Sequence, residues 1–318
     1  MADTTTETLP RAVAETKRRF LLVDLVTRLV KEKPLGTVGA VIVLVMLIVG
    51  IFADLLTPYD MAEAHLKDTL SPPSAGYVLG TDELGRDVLS RIIYGARISM
   101  IVSLAGSALS VAVSTIIGII SGFMGGRYDM VMQRFVDGFM CFPGLIFMLS
   151  LMAITGPGLL QVILVLGFLG GIGQSRVVRS AVIGIKENVY VEAANAIGCS
   201  TGRILTRHIL PNIMAPIIIL FTVSMAGMIL AEATLSFLGY GIPPPTPSWG
   251  AMLSGEGRTF MYEAPWLAIW PGLVLAIVVY GINILGDAVR DILDPRLRGG
   301  LGRYAGVKVK KRPAGKSG

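Results

Sequence analysis

The sequence predicts an all-α integral membrane protein with six transmembrane helices, an N-terminal interfacial helix, and a cytosolic helix pair between helices 4 and 5. Three observations lead to this fold class. The chain is 53% apolar and only 16% charged, with a positive mean hydropathy. Apolar runs of about 20 residues, enough to cross a bilayer core as a helix, recur along it. Basic residues are concentrated in alternate segments between those runs.

The first 34 residues, 1–34, are predicted to form a cytosolic tail and an interfacial helix. Residues 1–16 are polar, whereas the stretch 17–33, KRRFLLVDLVTRLVKEK, has basic ends and a broad apolar face. A helix with these properties lies in the membrane surface, in contact with lipid headgroups. The alternative is a cytosolic extension of the first span, but Pro34 and Gly36 favour a break at that point.

Five apolar runs have the length of a transmembrane helix. They cover about residues 35–56, 98–124, 136–156, 213–238 and 266–288. A sixth run, 159–173, is short, but a helix that continues through Gln174, Arg176 and Arg179 can place those side chains among the headgroups. Together the six runs predict a transmembrane domain over residues 35–288.

Lysine and arginine indicate which side of the membrane is cytosolic. The segments that lie on one side in a six-span arrangement hold 23 of the 28 basic residues; they are 1–34, 125–135, 175–212 and the basic tail 289–318. Basic residues resist translocation, so both termini are predicted to be cytosolic. The excess positive charge fits contact with anionic lipid and does not indicate nucleic acid binding.

The two outer segments, 57–97 and 239–265, differ in pattern. In the first, apolar residues from Leu84 onwards recur at helical spacing, and Asp87 stands four residues before Arg91, which predicts an amphipathic helix with an ion pair. The second contains GYGIPPPTPSWGAMLSGEG and is predicted to be irregular. Four aromatic residues are predicted at the outer membrane interface, namely Tyr240, Trp249, Trp266 and Trp270.

Small and acidic residues occur inside the spans. Gly118 with Gly122, and Gly167 with Gly171, are four apart and predict close helix contacts. Glu232 lies well inside the fifth span, where a carboxylate costs roughly 2.5 to 3.5 kcal/mol. It is therefore predicted to point into the bundle, either as a pathway or gate residue or as a hydrogen-bonded packing residue.

The cytosolic segment 187–211 is predicted to be a compact helix, turn, helix. Asn188 can cap a first helix whose Val191, Ala194 and Ile197 share one face, and Gly198 can take the left-handed conformation that ends it. Ser200 can cap a second helix, which buries its Ile204, Leu205 and Ile209 side and exposes Arg203 and Arg207 until Pro211 interrupts it. Ala193 and Ala194 keep one surface shallow beside Glu192.

These residues carry a resemblance to a known family. The stretch EAANAIG, followed after nine residues by HILP, resembles the cytosolic signature of binding-protein-dependent ABC importer permeases. Matching positions are Glu192, Ala193, Ala194, Gly198, Leu210 and Pro211, while His208 stands where isoleucine is usual. Three further stretches resemble the C-type permease of dipeptide and oligopeptide importers: GTDELGRDVLSRIIYGARIS, TLSFLGYGIPPPTPSWGAML and GINILGDAVRDILDPRLRG.

The resemblance implies a permease subunit that forms half of a translocation pathway in a bacterial or archaeal inner membrane. Its implied partners are a different permease chain, two ABC ATPase subunits and an extracytoplasmic solute-binding protein, with a peptide as substrate. The cytosolic helix pair would be a coupling element seated in the ATPase. ATP and magnesium would be held by the partner subunits, so no catalytic residue, cofactor or metal site is predicted in this chain. Nickel complexes, glutathione or another small solute are alternative cargoes.

Two other classes of function are alternatives to an ABC permease. A membrane-embedded enzyme receives little support, because the chain has only two histidines, His65 and His208, and no metal-ligand or nucleophile–base cluster. No disulfide is predicted between Cys141 and Cys199. The GKS at 315–317 lacks the first glycine of a phosphate loop, which would fall at Lys310. An ion-coupled secondary transporter is the third possibility, and uptake without ATP would identify it.

Overall fold

A computed structural model describes residues 21–293, with side chains from Val26 onwards. The first 20 residues and the basic tail after residue 293 lie outside the described residues. Residues 21–293 contain helices and turns but no β-strand, with one isolated antiparallel bridge between Thr81 and Asp87. The predicted all-α class is therefore confirmed for the described part of the chain.

Thirteen α-helices follow one another along residues 21–293. They are α1 (Leu21–Glu32), α2 (Pro34–Ile51), α3 (Ala53–Leu56), α4 (Val88–Met124), α5 (Gly126–Met140), α6 (Gly144–Thr155), α7 (Leu159–Lys186), α8 (Val189–Ala196), α9 (Thr201–Ile204), α10 (Met214–Phe237), α11 (Trp249–Ser254), α12 (Glu256–Thr259) and α13 (Trp266–Leu293). A π-helical stretch, Leu205–Ile209, and a 3₁₀ turn, Leu210–Ile213, join α9 to α10 without a gap.

Five helical stretches are long and apolar enough to cross a membrane: α2, α4, α7, the continuous stretch Thr201–Phe237, and α13. The short sixth run is part of α7, which continues past Arg179 to Lys186, as the sequence indicates. The prediction of one transmembrane helix over residues 136–156 is wrong. There α5 and α6 meet at 87°, and only this bent pair would make a sixth span.

The bend has a local cause. Pro143 has no backbone N–H to continue the hydrogen-bond ladder of α5, and its ring disfavours a helical conformation for the residue before it. The chain leaves the helix at Cys141, and α6 begins at Gly144. Residues 126–135, which the sequence assigns to a cytosolic connection, are helical and form most of α5.

Glycines bring α4 and α7 into close contact. A Cβ at Gly118 would lie 2.6 Å from Val178 Cβ, and one at Gly122 would lie 3.0 Å from Val182 Cβ. From the other helix, a Cβ at Gly171 would lie 2.6 Å from Val113 Cβ, and Gly167 is equally close to Leu109. Both glycine pairs predicted from their spacing are thus helix contacts, and they hold α4 and α7 together.

The outer segments fold over the bundle as a packed cap. The sequence predicts that 239–257 is irregular, but α11 and α12 form there, because Ser248 caps α11 by accepting a hydrogen bond from Ala251 N. Trp249 is fully buried against Ile92 and Met252, so its assignment to a membrane interface is wrong. The indole of Trp266 also turns inward and donates to Thr81 O.

The start of α4 differs from the prediction. The helix begins at Val88, not near Leu84, and Asp87 caps it by accepting from Ser90 N and Ser90 Oγ. The expected Asp87–Arg91 pair does not form: Asp87 Oδ2 binds the N-terminus of its own helix, and Oδ1 is buried without a hydrogen-bond partner. Arg91 faces the more distant Asp82 and Glu256, at 3.5 and 3.6 Å.

The predicted break before the first span is present. α1 ends at Glu32, and Lys33 adopts a non-helical conformation (φ −135°, ψ 74°) before α2 begins at Pro34. Leu29 packs against Ala288 and Ile292 of α13, and Lys33 Nζ lies 2.6 Å from Asp291 Oδ2. α1 is therefore a separate helix fastened to the end of the last span.

Candidate functional site

The candidate site is the segment between α7 and α10, which contains the predicted coupling residues. Only Glu187 and Asn188 separate the end of α7 from α8, and residues 197–200 separate α8 from α9. From Thr201 the helix runs on to Phe237, so α8 is joined closely to one span and α9 continues directly into the next. The predicted helix, turn, helix is present over these residues.

Gly198 makes the turn between the two helices. Its φ of +80° lies in the left-handed region, as predicted, and this conformation favours glycine. The amide of Gly198 donates to Asn195 O and that of Cys199 to Ala194 O, both at 3.0 Å. Two free carbonyls at the end of α8 are thereby satisfied.

The predicted side-chain caps are wrong. Asn188 immediately precedes α8, but its Nδ2 donates back to Gly184 O and Ile185 O, so it closes the end of α7 instead. Ser200 precedes α9 without a side-chain hydrogen bond to it. A short polar side chain between two helices can serve either one, and the sequence does not decide between them.

One face of the segment packs on the bundle. Val191, Ala194, Ile204, Ile209 and Ile213 are buried in one cluster with Val178 and Val182 of α7. Leu205 and Leu210 are partly buried against the same cluster. The segment is thus an integral part of the bundle, although Ile197, expected on its buried face, is 80% exposed because it follows the end of α8.

The other face of the segment is open to its surroundings. Glu192, Ala193 and Gly198 are exposed, and beside them lie the exposed apolar side chains of Val189, Tyr190 and Ile197. Arg203 and Arg207 are also exposed, as predicted. Of the two alanines expected to keep this surface shallow, Ala193 lies on it and Ala194 is turned inward. The exposed face combines apolar side chains with a carboxylate and two guanidinium groups.

Pro211 does not interrupt the second helix, contrary to the prediction. Because proline has no N–H to donate, the ladder changes to wider π-helical bonding before it and tighter 3₁₀ bonding after it. Asn212 Nδ2 donates to His208 O at 2.6 Å and satisfies a carbonyl in this stretch. The His208 ring lies 6.3 Å from that of Tyr190, so it links the two helices of the pair.

A cleft and a polar network adjoin the segment, and neither was predicted. The cleft, of about 460 Å³, lies between Glu192 and Asn195 of α8 and Phe123 and Gly125 at the end of α4. Asp129 of α5 lines this cleft and pairs with Arg179 of α7, at 2.5 Å between Nη2 and Oδ2. The sequence does show charged residues at the ends of the predicted spans, but it does not show that Asp129 and Arg179 face one another.

Glu232 lies in a different part of the molecule, beneath the proline-rich outer loop. Its side chain is 0% exposed, and Oε1 accepts from Ser236 Oγ at 2.6 Å. Ser236 Oγ in turn accepts from Ile242 N, which connects the carboxylate to the loop. This enclosure favours the packing alternative over a pathway or gate residue. The structure does not bring Glu232 together with the cytosolic segment.

Two family models match most of the chain. The model described as binding-protein-dependent transport system inner membrane component matches residues 114–299, which contain the whole cytosolic segment. The model described as N-terminal TM domain of oligopeptide transport permease C matches residues 23–73.

Individual proteins are similar over nearly the same length. The chain is 39% identical over 268 residues to the dipeptide transport system permease protein DppC of Alkalihalophilus pseudofirmus, covering 84% of this chain and 88% of that protein. It is 37% identical to the oligopeptide transport system permease protein OppC of Bacillus subtilis, with the same coverage. The fold matches a chain of the inward-facing MetNI methionine ABC transporter with a TM-score of 0.54 at 16% identity, covering 65% of this chain and 97% of that chain.

Proposed function

The chain belongs to the family of binding-protein-dependent transport system inner membrane components, and from that premise we propose its cargo, its partners and its contact with an ATPase. It is a multi-pass permease subunit of an ABC importer. The C-type permease resemblance seen in the sequence is confirmed by the relatives and by both family models. The fold alone would not decide among transport functions.

The proposed cargo is a dipeptide or oligopeptide. The similar proteins are named for dipeptide and oligopeptide transport, and the similarity extends over 84% of this chain. The single observation that carries the proposal is this identity of 37 to 39% across spans, outer cap and cytosolic segment together. Nickel complexes and glutathione are alternative cargoes that the same uptake measurement distinguishes.

The coupling surface is the exposed face of the cytosolic segment. We assign the contact with the ATPase to Glu192, Ala193 and Gly198, with Ala194, Leu210 and Pro211 maintaining the shape of the segment. Support comes from the exposed Val189, Tyr190 and Ile197, which leave an apolar surface next to a carboxylate. Such a surface is suited to a protein partner, because apolar area gives affinity and the charge gives orientation.

The remaining partners are a second, different permease chain and an extracytoplasmic solute-binding protein. ATP and magnesium are held by two separate ATPase subunits, and this chain contributes no catalytic group. Both termini and the cytosolic segment lie on the same side of the membrane. The distribution of basic residues supports this orientation, since 23 of 28 fall in the segments assigned to that side.

Crosslinking tests the coupling contact. In a Cys141→Ser, Cys199→Ser background, Ile197→Cys is expected to crosslink to a nucleotide-binding subunit in membranes that contain the whole transporter. Tyr262→Cys is the matched control, since it is 93% exposed but lies in the outer segment. Crosslinks from Ile197→Cys only to this chain's own helices would overturn the coupling proposal.

Uptake tests the cargo. Vesicles with the complete transporter and its binding protein are expected to accumulate labelled dipeptide or oligopeptide only with ATP. A transporter that carries nickel complexes or glutathione but no peptide would overturn the peptide assignment. Uptake by this chain without ATP and without ATPase subunits would instead indicate a secondary transporter.

A further inference from the structure

Two ion pairs fasten α5 to α7 near the coupling segment. Arg179 Nε and Nη2 donate to the two carboxylate oxygens of Asp129 at 2.6 and 2.5 Å, a bidentate arrangement. Two turns further along α5, Asp137 accepts a hydrogen bond from Arg176 Nη2. Both arginines belong to α7, one turn apart, and both carboxylates belong to α5. The two helices therefore have two separate points of attachment.

The Asp129–Arg179 pair is held rigidly in place. Asp129 is only 19% exposed at its side chain, and Ser121 Oγ of α4 donates to the same carboxylate. Gln133 Nε2 donates to Ser121 Oγ at 2.9 Å, so three helices meet at one polar network. A bidentate, hydrogen-bonded pair of this kind resists displacement more than an exposed pair does.

The Asp137–Arg176 pair can exchange partners. Asp137 is 41% exposed and Arg176 is 44% exposed, so water can replace either partner at little cost. Arg134, three residues before Asp137 on α5 itself, already lies 3.4 Å from its other carboxylate oxygen. If α7 moves away, Asp137 therefore has a cation on its own helix. Asp137 thus has a cationic partner on each side, one on α7 and one on α5, which is what an exchange of partners requires.

The connections at both ends of α5 allow it to move as a unit. It follows α4 through Gly125 and Gly126, whose φ values are +63° and +53°, and it ends at the break before Pro143. α7, in contrast, leads through two residues into α8 of the coupling segment. A displacement of the coupling segment therefore reaches α5 most directly through α7 and these two ion pairs.

We propose that Asp129–Arg179 is the pivot and Asp137–Arg176 the releasable contact through which the coupling segment sets the angle of the α5–α6 bend. These four are positioning residues, because they act through the bend. The inference rests on the proposed coupling function. When α8 is displaced, α7 withdraws Arg176, Asp137 transfers to Arg134, and α5 turns about Asp129, which changes the surroundings of Cys141.

Native Cys141 reports on the bend. In a Cys199→Ser background, labelling of Cys141 by a soluble maleimide is measured in membranes containing the whole transporter, with and without a non-hydrolysable ATP analogue. The reference chain is expected to show a several-fold difference between the two states. Asp137→Asn and Arg176→Gln are expected to abolish that difference and to lower peptide transported per ATP hydrolysed about tenfold, while ATP hydrolysis continues.

Two further variants separate the proposed role from general destabilisation. The charge exchange Arg134→Asp, Asp137→Arg and Arg176→Asp keeps an opposite charge at both partners of residue 137 and is expected to restore both the labelling difference and the transport ratio. Arg127→Gln, an exposed basic residue on the same helix, is the matched control and is expected to behave like the reference chain. Undiminished labelling difference and coupling in Asp137→Asn would overturn the inference. Loss without rescue by the charge exchange would also overturn it.

The outcomes also separate this inference from the proposed function. If the coupling proposal fails, the reference chain itself shows no nucleotide-dependent labelling and no ATP-driven uptake. If only the ion-pair inference fails, the reference chain and Asp137→Asn are coupled alike.

Discussion

The indole nitrogen of Trp249 donates a hydrogen bond to the carbonyl oxygen of Ile92, 3.1 Å away and 157 residues distant in the chain. Trp249 begins α11 in the second outer segment, and Ile92 lies near the start of α4. A Cβ at Gly95 would lie 2.7 Å from the same nitrogen, so the indole fits against the helix backbone. This contact fastens the outer cap to the bundle.

Trp249→Ala is expected to lower the free energy of unfolding by about 3 to 5 kcal/mol, because it empties a fully enclosed site. Trp249→Phe is expected to cost less, roughly 1 to 2 kcal/mol, since the ring is retained and the hydrogen bond is lost. Unfolding by a denaturing detergent measures both. Tyr262→Ala, on an exposed side chain of the same outer segment, is expected to change little. Equal stability of Trp249→Ala and Tyr262→Ala would contradict the assignment.

Gly118→Ala is expected to destabilise the contact between α4 and α7 by about 1 to 3 kcal/mol, the usual cost of overpacking. The added Cβ would lie 2.6 Å from Val178 Cβ and 2.8 Å from Ser175 O, and the second of these is backbone and cannot turn away. Gly173→Ala on α7 is the control, since its Cβ would meet nothing within 4 Å. Thermal unfolding in detergent compares them, and a lower midpoint for the control variant would count against this packing.

Arg86→Met is expected to destabilise the outer cap by about 3 to 5 kcal/mol. Arg86 donates to Asp82 Oδ2 and Glu256 Oε1, both at 2.6 Å, and all three side chains are largely buried. Without Arg86, two enclosed carboxylates face Arg91 alone. Arg258→Met, on the exposed surface of α12, is the control, and unfolding measured by intrinsic tryptophan fluorescence should leave it unchanged. An unaffected Arg86→Met protein would rule out a structural role for the cluster.

Glu256 gives the cap a pH dependence. Burial raises the pKa of Glu256 above its ordinary 4.5, while the charge of Arg91 opposes the rise. The folded protein therefore binds the proton more tightly than the unfolded chain, and the stability contributed by this proton is complete below about pH 4.5 and is lost as pH rises through the raised pKa. Glutamine does not titrate and resembles the protonated carboxyl, so the stability of wild type relative to Glu256→Gln should fall as pH rises through this range. A wild type that gains stability relative to Glu256→Gln as pH rises would reverse the assigned direction.

Gly198→Ala is expected to impair the coupling segment, because a left-handed conformation costs an L-residue with a side chain about 1 to 2 kcal/mol. Faster hydrogen exchange at the amides of α8 and lower ATP-driven uptake are the expected observations. Gly202→Ala is the control, since this residue lies in a regular helix with open space around its Cβ. There alanine favours the helix by roughly 0.5 to 1 kcal/mol. Equal exchange rates in the two variants would exclude strain at Gly198.

The sequence predicted what depends on local composition and spacing. Apolar length located the spans, and glycines four residues apart identified the contact between α4 and α7, because on a helix that spacing places both on one face. The left-handed turn at Gly198 followed from glycine's position between two amphipathic stretches. These features need no knowledge of what lies on neighbouring segments.

The features that the sequence missed depend on partners distant in the chain. Asp87 had two possible partners, Arg91 and the N-terminus of its own helix. Its Oδ2 binds the helix end, while Arg91 lies nearer to Glu256 and Asp82. Asn188 likewise donates its side-chain hydrogen bonds to the end of α7 and not to α8. The sequence does not predict the Asp129–Arg179 pair. Residues 125–135 have the composition of a connection between spans, so no helix that aligns Asp129 with Asp137 is expected there.

The length of α4 has a consequence for the bilayer. At about 1.5 Å per residue its 37 residues extend roughly 55 Å, whereas the hydrocarbon core of a membrane is about 30 Å thick. Part of this excess lies in the cap, where buried polar residues such as Asp87 and Ser90 hold the start of the helix, and tilt can absorb the rest. Because glycine contacts fix α4 against α7, its inclination is set by the bundle, and a bilayer of unequal thickness has to adjust its own local depth around the helix.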